Sequence, residues 1–210
     1  MNDVKFKVLS LKSSAKKNNY FHVTLDNGNK YNFHENSIIR YNIKENQSIE
    51  NKIINEALDN TEKEIIKNKI IILLSYRQRS KKELTDVFLS KGYKIENILN
   101  VIEELEKRKY LNDSLFAKMM ASHLIKEKKL GRYLVEQKLL QHNIDSSIME
   151  PIISNLYQKY PASETIKEIL NKKKSILENS LKNKIKIINH LKRKGFHFDD
   201  INSIIESDNL

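Results

Sequence analysis

Cysteine is absent from this chain of 210 residues. That excludes disulfides, cysteine-based zinc sites and thiol nucleophiles. Glycine is scarce: Gly28, Gly92, Gly131 and Gly195 are too dispersed for a glycine-rich phosphate loop, so a nucleotide-binding fold is hard to build. The two prolines, Pro151 and Pro161, fall at or near expected helix starts, where proline is tolerated. No apolar run approaches the length that spans a bilayer, and Met1–Ser10 mixes charges with its apolar residues, unlike a signal peptide. A soluble, cytoplasmic protein with no membrane partner is expected. The six histidines are scattered. His197 stands close to Asp199 and Asp200, but helix capping explains those acids better than a metal does. With no catalytic constellation legible, the expectation is a non-enzyme that uses neither cofactor nor metal.

What the chain does have is positive charge and periodicity. Its formal charge is +11, and 39% hydrophobic residues are enough for a packed core. Residues 162–194 alone hold ten Lys/Arg and three Asp/Glu, a net +7. Such an excess favours polyanions through counterion release and speeds their capture.

One apolar stripe occurs three times: Ile98/Val101/Ile102/Leu105, Met149/Ile152/Ile153/Leu156 and Ile201/Ile204/Ile205. The steps are 51 residues (149 − 98) and 52 residues (201 − 149). The preceding helix repeats in register as Leu84/Phe88, Val135/Leu139 and Ile187/Leu191, and a turn residue (Gly92, Asn143, Gly195) separates the two. The chain is therefore mainly α, an elongated array of three tandem three-helix repeats, each burying its face largely against neighbours. That points to a recognition surface before an enzyme pocket.

Residues 1–42 differ. Val4–Leu9 and Lys30–Phe33 alternate apolar and polar, Tyr20–Leu25 is aromatic and β-branched, and Asp26-Asn27-Gly28 is a hairpin turn. We expect a small antiparallel sheet with a short helix at 37–41 and a connecting helix at 49–58. Thr61–Glu64 and Ser80–Glu83 fit capping boxes, while Asn112 or Asp113, and Asp145, suit helix starts. Tyr110, Leu111 and Phe116 are expected to plug the seam between repeats, and Tyr93 and Phe196 to enter the core. The resulting division is 1–60 for the β module and its connecting helix, then repeats at 61–111, 112–160 and 161–210.

The candidate binding residues are basic groups near the middle helix of each repeat. Arg77, Arg79, Lys81 and Lys82 surround the start of one. Guanidinium forks beside free helix N–H groups suit anions, although Arg77 and Arg79 could equally tie the loop to nearby glutamates. Arg132 and Tyr133 begin the second; Lys192, Arg193 and Lys194 end the third; and Lys172, Lys173 and Lys174 extend a basic face.

Leu74-Ser75-Tyr76-Arg77-x-Arg79-Ser80-x-x-Glu83-Leu84, Leu89-x-Lys91-Gly92-Tyr93, Val101-Ile102-x-x-Leu105 and Tyr110-Leu111-Asn112-Asp113-x-x-Phe116-Ala117 together resemble the RecX family, regulators of the bacterial recombinase RecA. The resemblance covers residues 62–118 strongly and continues by pattern to 208. His142-Asn143-Ile144 departs from the Lys-Gly-apolar turn usual there. The resemblance implies a protein that lies in the groove of the RecA–single-stranded DNA filament and inhibits ATP hydrolysis, strand exchange and filament extension. A monomer, with possible direct DNA contact, is expected. The rival readings are a helical module that binds DNA without RecA and an adaptor for an acidic protein.

Overall fold

A computed structural model describes residues 4–172 and 181–207. The chain divides into two compact units, residues 1–77 with 83–111 and residues 78–82 with 112–210.

In the first unit, β1 (Lys5–Ser13), β2 (Tyr20–Leu25), β3 (Lys30–His34) and β4 (Ser48–Glu50) form an antiparallel sheet in the order β3-β2-β1-β4. The expected hairpin is present. The Leu25 carbonyl accepts from Gly28 N–H at 3.0 Å, and Gly28 has φ +84°, which its missing Cβ permits. Helix α1 (Glu35–Arg40) follows β3. Val8, Val23, Leu25, Phe33 and Ile49 pack the inner face of the sheet, with Ile43 from the loop before β4, on Ile54 and Ala57 of helix α2 (Asn51–Tyr76).

Helix α2 corrects two expectations. The connecting helix and the first repeat helix are one element of 26 residues, preceded by β4. Thr61 consequently caps nothing. It is buried mid-helix, where its hydroxyl accepts from His34 N–H at 3.0 Å and lies 2.9 Å from Ser37 Oγ. Asn60 Nδ2 donates to the same serine at 2.9 Å. These polar groups fill one another's hydrogen-bonding capacity between α2 and the junction of β3 with α1, so a pattern that reads as a helix start is instead a tertiary contact.

The later half of α2 joins α3 (Lys81–Leu89) and α4 (Ile95–Lys107) around Ile66, Ile70, Leu84, Phe88, Ile98, Val101, Ile102 and Leu105. In the second unit, α5 (Asp113–Lys126), α6 (Arg132–Leu140) and α7 (Ser146–Lys159) surround Phe116, Val135, Leu139, Met149 and Ile153. Helices α8 (Ala162–Asn171), α9 (Leu181–Arg193) and α10 (Phe198–Ser207) surround Ile166, Leu170, Ile187, Leu191 and Ile201. The three apolar stripes are thus three cores. Asn112 and Asp145 cap α5 and α7 by accepting from Leu115 N–H at 3.0 Å and Ser147 N–H at 2.8 Å. Pro151 lies deeper than a helix start, as the sixth residue of α7. Asp199 and Asp200 are first-turn acids of α10 rather than caps; there they complement the positive end of the helix dipole.

The turn repeats atom for atom. The N–H groups of Tyr93, Ile144 and Phe196 donate to Phe88, Leu139 and Leu191 carbonyls, each at 3.3 Å. Those of Gly92, Asn143 and Gly195 donate three residues back, each at 2.9 Å. The three turn residues have φ of +81°, +55° and +86°, the left-handed conformation that ends a helix in this way. Ile144 and Phe196 are buried and Tyr93 partly so. Tyr110 departs from expectation. Its side chain is 54% exposed, while Leu111 enters the core beneath α4 and Phe116 that of α5–α7. Lys109, with φ of +62°, ends α4 in the same left-handed turn, and the Tyr110 N–H donates to the Leu105 carbonyl at 2.9 Å.

Candidate partner and nucleic-acid interface

The second unit contains one contact built twice. Ser80 and Gly131 occupy the same register, 51 residues apart, immediately before a middle helix. Each meets the turn 62 to 64 residues further along. At the first contact, Ser80 is fully buried and its hydroxyl lies 2.9 Å from Nδ1 of His142. The His142 ring packs 4.9 Å from Phe116 between ring centres. At the second, Gly131 N–H donates to the Lys194 carbonyl at 2.8 Å. A Cβ on Gly131 would collide with the Gly195 carbonyl, and one on Gly195 would lie 2.6 Å from Leu134 N. Two glycines therefore let two backbones touch.

The second contact brings Arg132 and Tyr133, at the start of α6, to the backbone that carries Lys192, Arg193 and Lys194. Tyr133, Lys192 and Arg193 are exposed. The Lys192 ammonium lies 4.2 Å from the Phe198 ring centre, a cation–π contact that displays both groups at the surface. Lys194 and Arg132 have structural work. Lys194 Nζ donates to the Lys128 carbonyl at 2.9 Å. Arg132 donates from Nε to Glu136 at 2.8 Å and from its terminal nitrogen to Glu150. Tyr157 beside it donates its hydroxyl to the Leu130 carbonyl at 2.7 Å, and burial raises its pKa.

The first contact holds Arg79, Lys81 and Lys82 near His142 within the same unit. Asp113, freed from capping α5 by Asn112, accepts instead from Lys81 N–H at 3.0 Å and thereby caps α3. Its other oxygen lies 3.7 Å from Lys81 Nζ. Arg79 and Lys82 are half-buried. Arg77, in the first unit, forms a two-pronged pair with Glu83, at 3.1 and 2.5 Å. Part of the tie anticipated between the arginines and nearby glutamates is therefore present.

Lys172 stands apart from both contacts. It donates to Glu168 at 2.7 Å, and Lys129 reaches the other oxygen of that carboxylate at 3.0 Å. The Lys172 hydrogen bond, joined by that of Lys129, lowers the Glu168 pKa to about 2. Lys173 and Lys174 lie outside the described residues. Gly131 and Asp113 hold these two contacts in roles that sequence reasoning missed. Gly131 was one of only four glycines, and its register opposite Gly195 was the one available signal.

Among the described residues, no group of three or more His, Asp or Glu could hold a metal, and no helix is long and apolar enough to cross a membrane. Compared with known proteins, the chain is 31% identical over 192 residues to regulatory protein RecX of Streptococcus pneumoniae, covering 88% of this chain and 71% of that one. It is 28% identical over 209 residues to that of Oceanobacillus iheyensis, covering 95% and 75%. A crystal structure of regulatory protein RecX shares the fold with a TM-score of 0.76 at 17% identity, covering 96% of this chain and 99% of that one. RecX from Lactobacillus salivarius gives 0.61 at 24% identity, covering 71% and 98%. No family model matches the sequence.

Proposed function

The chain belongs to the RecX family of regulatory proteins, and from that premise we propose that it binds the RecA–single-stranded DNA filament and restrains it. It lies in the filament groove and inhibits ATP hydrolysis, strand exchange and filament extension. It acts as a cytoplasmic monomer, without catalysis of its own and without a cofactor; the ATP belongs to the partner. The β module at 1–60 modulates binding by the repeats at 61–111, 112–160 and 161–210. The observation that carries this reading is the twice-built contact of the second unit, which repeats the placement of basic groups beside a turn. Repeated weak contacts to a periodic partner gain avidity without any single strong site. Charge then supplies attraction to acidic protein surface or to DNA phosphates.

The decisive measurement is single-stranded-DNA-dependent ATP hydrolysis by RecA, titrated with this protein. Substoichiometric protein should depress the rate. An unchanged rate at saturation, with binding verified, would sink the reading. Reversal of Lys192 and Arg193 to Glu should weaken inhibition at least tenfold while leaving helicity intact. Lys194 is kept in that variant because its ammonium ties down the Lys128 carbonyl. The rival, DNA binding without RecA, draws on the same basic groups. It predicts mobility shifts of DNA that RecA does not enhance.

A further inference from the structure

The N-terminal sheet buries one face and leaves the other open. Val8, Val23, Leu25 and Phe33 point inward, and a bulge between Val8 and Ser10 restores the alternation along β1. The outward positions are Lys5, Lys7 and Lys12 on β1, His22 and Thr24 on β2, and Lys30 and Asn32 on β3. Strand pairing sets them in rows. Lys12, His22 and Asn32 stand side by side, and next to them Ser10, Thr24 and Lys30. Glu50 is the one acid in the strands, 3.4 Å from Lys5. Lys7, Lys12 and Lys30 have no carboxylate partner among the described residues.

Lysine is a poor strand former and is commonly placed on edge strands to prevent aggregation. Edge protection accounts for Lys30, on the edge strand β3, and for Lys12, beyond the stretch of β1 paired with β4, but not for Lys5 and Lys7, where β1 runs between β2 and β4. Lys5, Lys7 and Lys12 of β1 all face solvent, with Lys5 and Lys7 about 6.8 Å apart at about 3.4 Å per residue. Between Lys12 and Asn32 in its row stands the exposed His22 ring, held through Nδ1 by Asn32 Oδ1. At the end of β2, the Lys17 ammonium lies 5.5 Å from the Tyr20 ring centre. Cations that track a backbone, an exposed ring and neighbouring hydroxyl and amide groups make a platform for stacked, unpaired bases.

We propose that the outer face of this sheet binds single-stranded nucleic acid through Lys7, Lys12 and Lys30, with His22 as a stacking surface. This goes beyond filament regulation and needs no RecA. The test is fluorescence anisotropy of a labelled oligothymidine with the full-length protein, RecA absent, over a range of salt. The variant is Lys7→Glu/Lys12→Glu/Lys30→Glu, with circular dichroism as the folding control. The affinity should fall at least tenfold, and the log–log salt slope should shrink by about 2, at about 0.7 per lost single-strand phosphate contact. The corresponding lysine-to-arginine triple should retain binding. Should the reversal unfold the sheet, the lysine-to-glutamine triple reads out the same slope. Unchanged affinity and slope would overturn the proposal, as would no binding by the wild type. So would equal binding of a duplex of the same length, or equally effective competition by polyglutamate, which would mark an acidic protein as the occupant.

Discussion

The two equivalent contacts of the second unit solve the same packing problem with different residues. At one, Gly131 is paired with the turn Lys194-Gly195, and the backbones touch. At the other, Ser80 is paired with the turn His142-Asn143, and side chains fill the gap through a hydroxyl–imidazole hydrogen bond. Both turns adopt the left-handed conformation, so the exchange of Gly for Asn leaves the helix ending intact. What changes is the distance at which the chains can meet. The closely approached glycine turn at Gly195 has a second glycine opposite it, and the asparagine turn at Asn143 faces a serine. The departure at His142-Asn143 is thus one half of a coupled pair rather than an isolated loss.

Glycine substitutions break that comparison most sharply. Gly195→Ala combines a left-handed φ with a Cβ 2.6 Å from Leu134 N, so it should cost about 3 kcal/mol or more. Gly131→Ala carries only the clash and should cost about 2 kcal/mol. Gly92→Ala keeps the left-handed φ, but a Cβ there meets nothing within 4 Å, so about 1 kcal/mol is expected. In a chain of this size each kcal/mol lowers the melting temperature by about 2–4 °C. Equal losses for Gly195→Ala and Gly92→Ala would rule out the close approach as the reason for glycine at 195.

The serine contact should be weaker. Ser80→Ala removes a buried hydrogen-bonding partner of His142 and should cost about 1–2 kcal/mol in denaturant unfolding. Combining it with His142→Ala should reveal a coupling of about 1 kcal/mol, as neighbours in one network are non-additive. Strict additivity would mean that the two side chains do not cooperate in solution.

The same comparison explains how much was legible in the sequence. Turns and stripes were readable because they are local: Gly92, Asn143 and Gly195 each act on the helix just before them. The apolar positions of α4, α7 and α10 follow from helical period alone. Thr61 misled because its partners, His34 of β3 and Ser37 of α1, come from other elements. Asp113 passed for a cap of its own helix, but Asn112 took that role and left Asp113 to cap α3. In the sequence the candidate site is a set of basic residues, yet their availability depends on distant acids. Arg132 is held by Glu150, eighteen residues on, whereas exposed Arg193 shares the same contact. Composition reveals the charges, and tertiary pairing decides which of them a partner can meet.

The smallest effect sharpens the comparison from the side of charge. Lys128 and Lys129 connect α5 to the glycine contact, and the Lys128 carbonyl receives Lys194 Nζ. Lys129 also binds Glu168, which Lys172 grips from its own helix. The two lysines lower the Glu168 pKa to about 2. Its ordinary value is about 4.3, so the depressed folded value means that this stabilisation is fully present above that range and is lost as pH falls towards 2. The carboxylate is exposed, so the change in global stability should be slight and salt-sensitive. The informative reading is local. Carboxyl NMR should show Glu168 titrating near 2, and Lys172→Ala should move it part of the way to the ordinary range, because Lys129 remains. An unmoved value in that variant would assign the shift to Lys129 alone. A wild-type value near 4.3 would mean that neither lysine holds the carboxylate in solution. Lys172 would then be as available to a partner as Lys192 and Arg193 are.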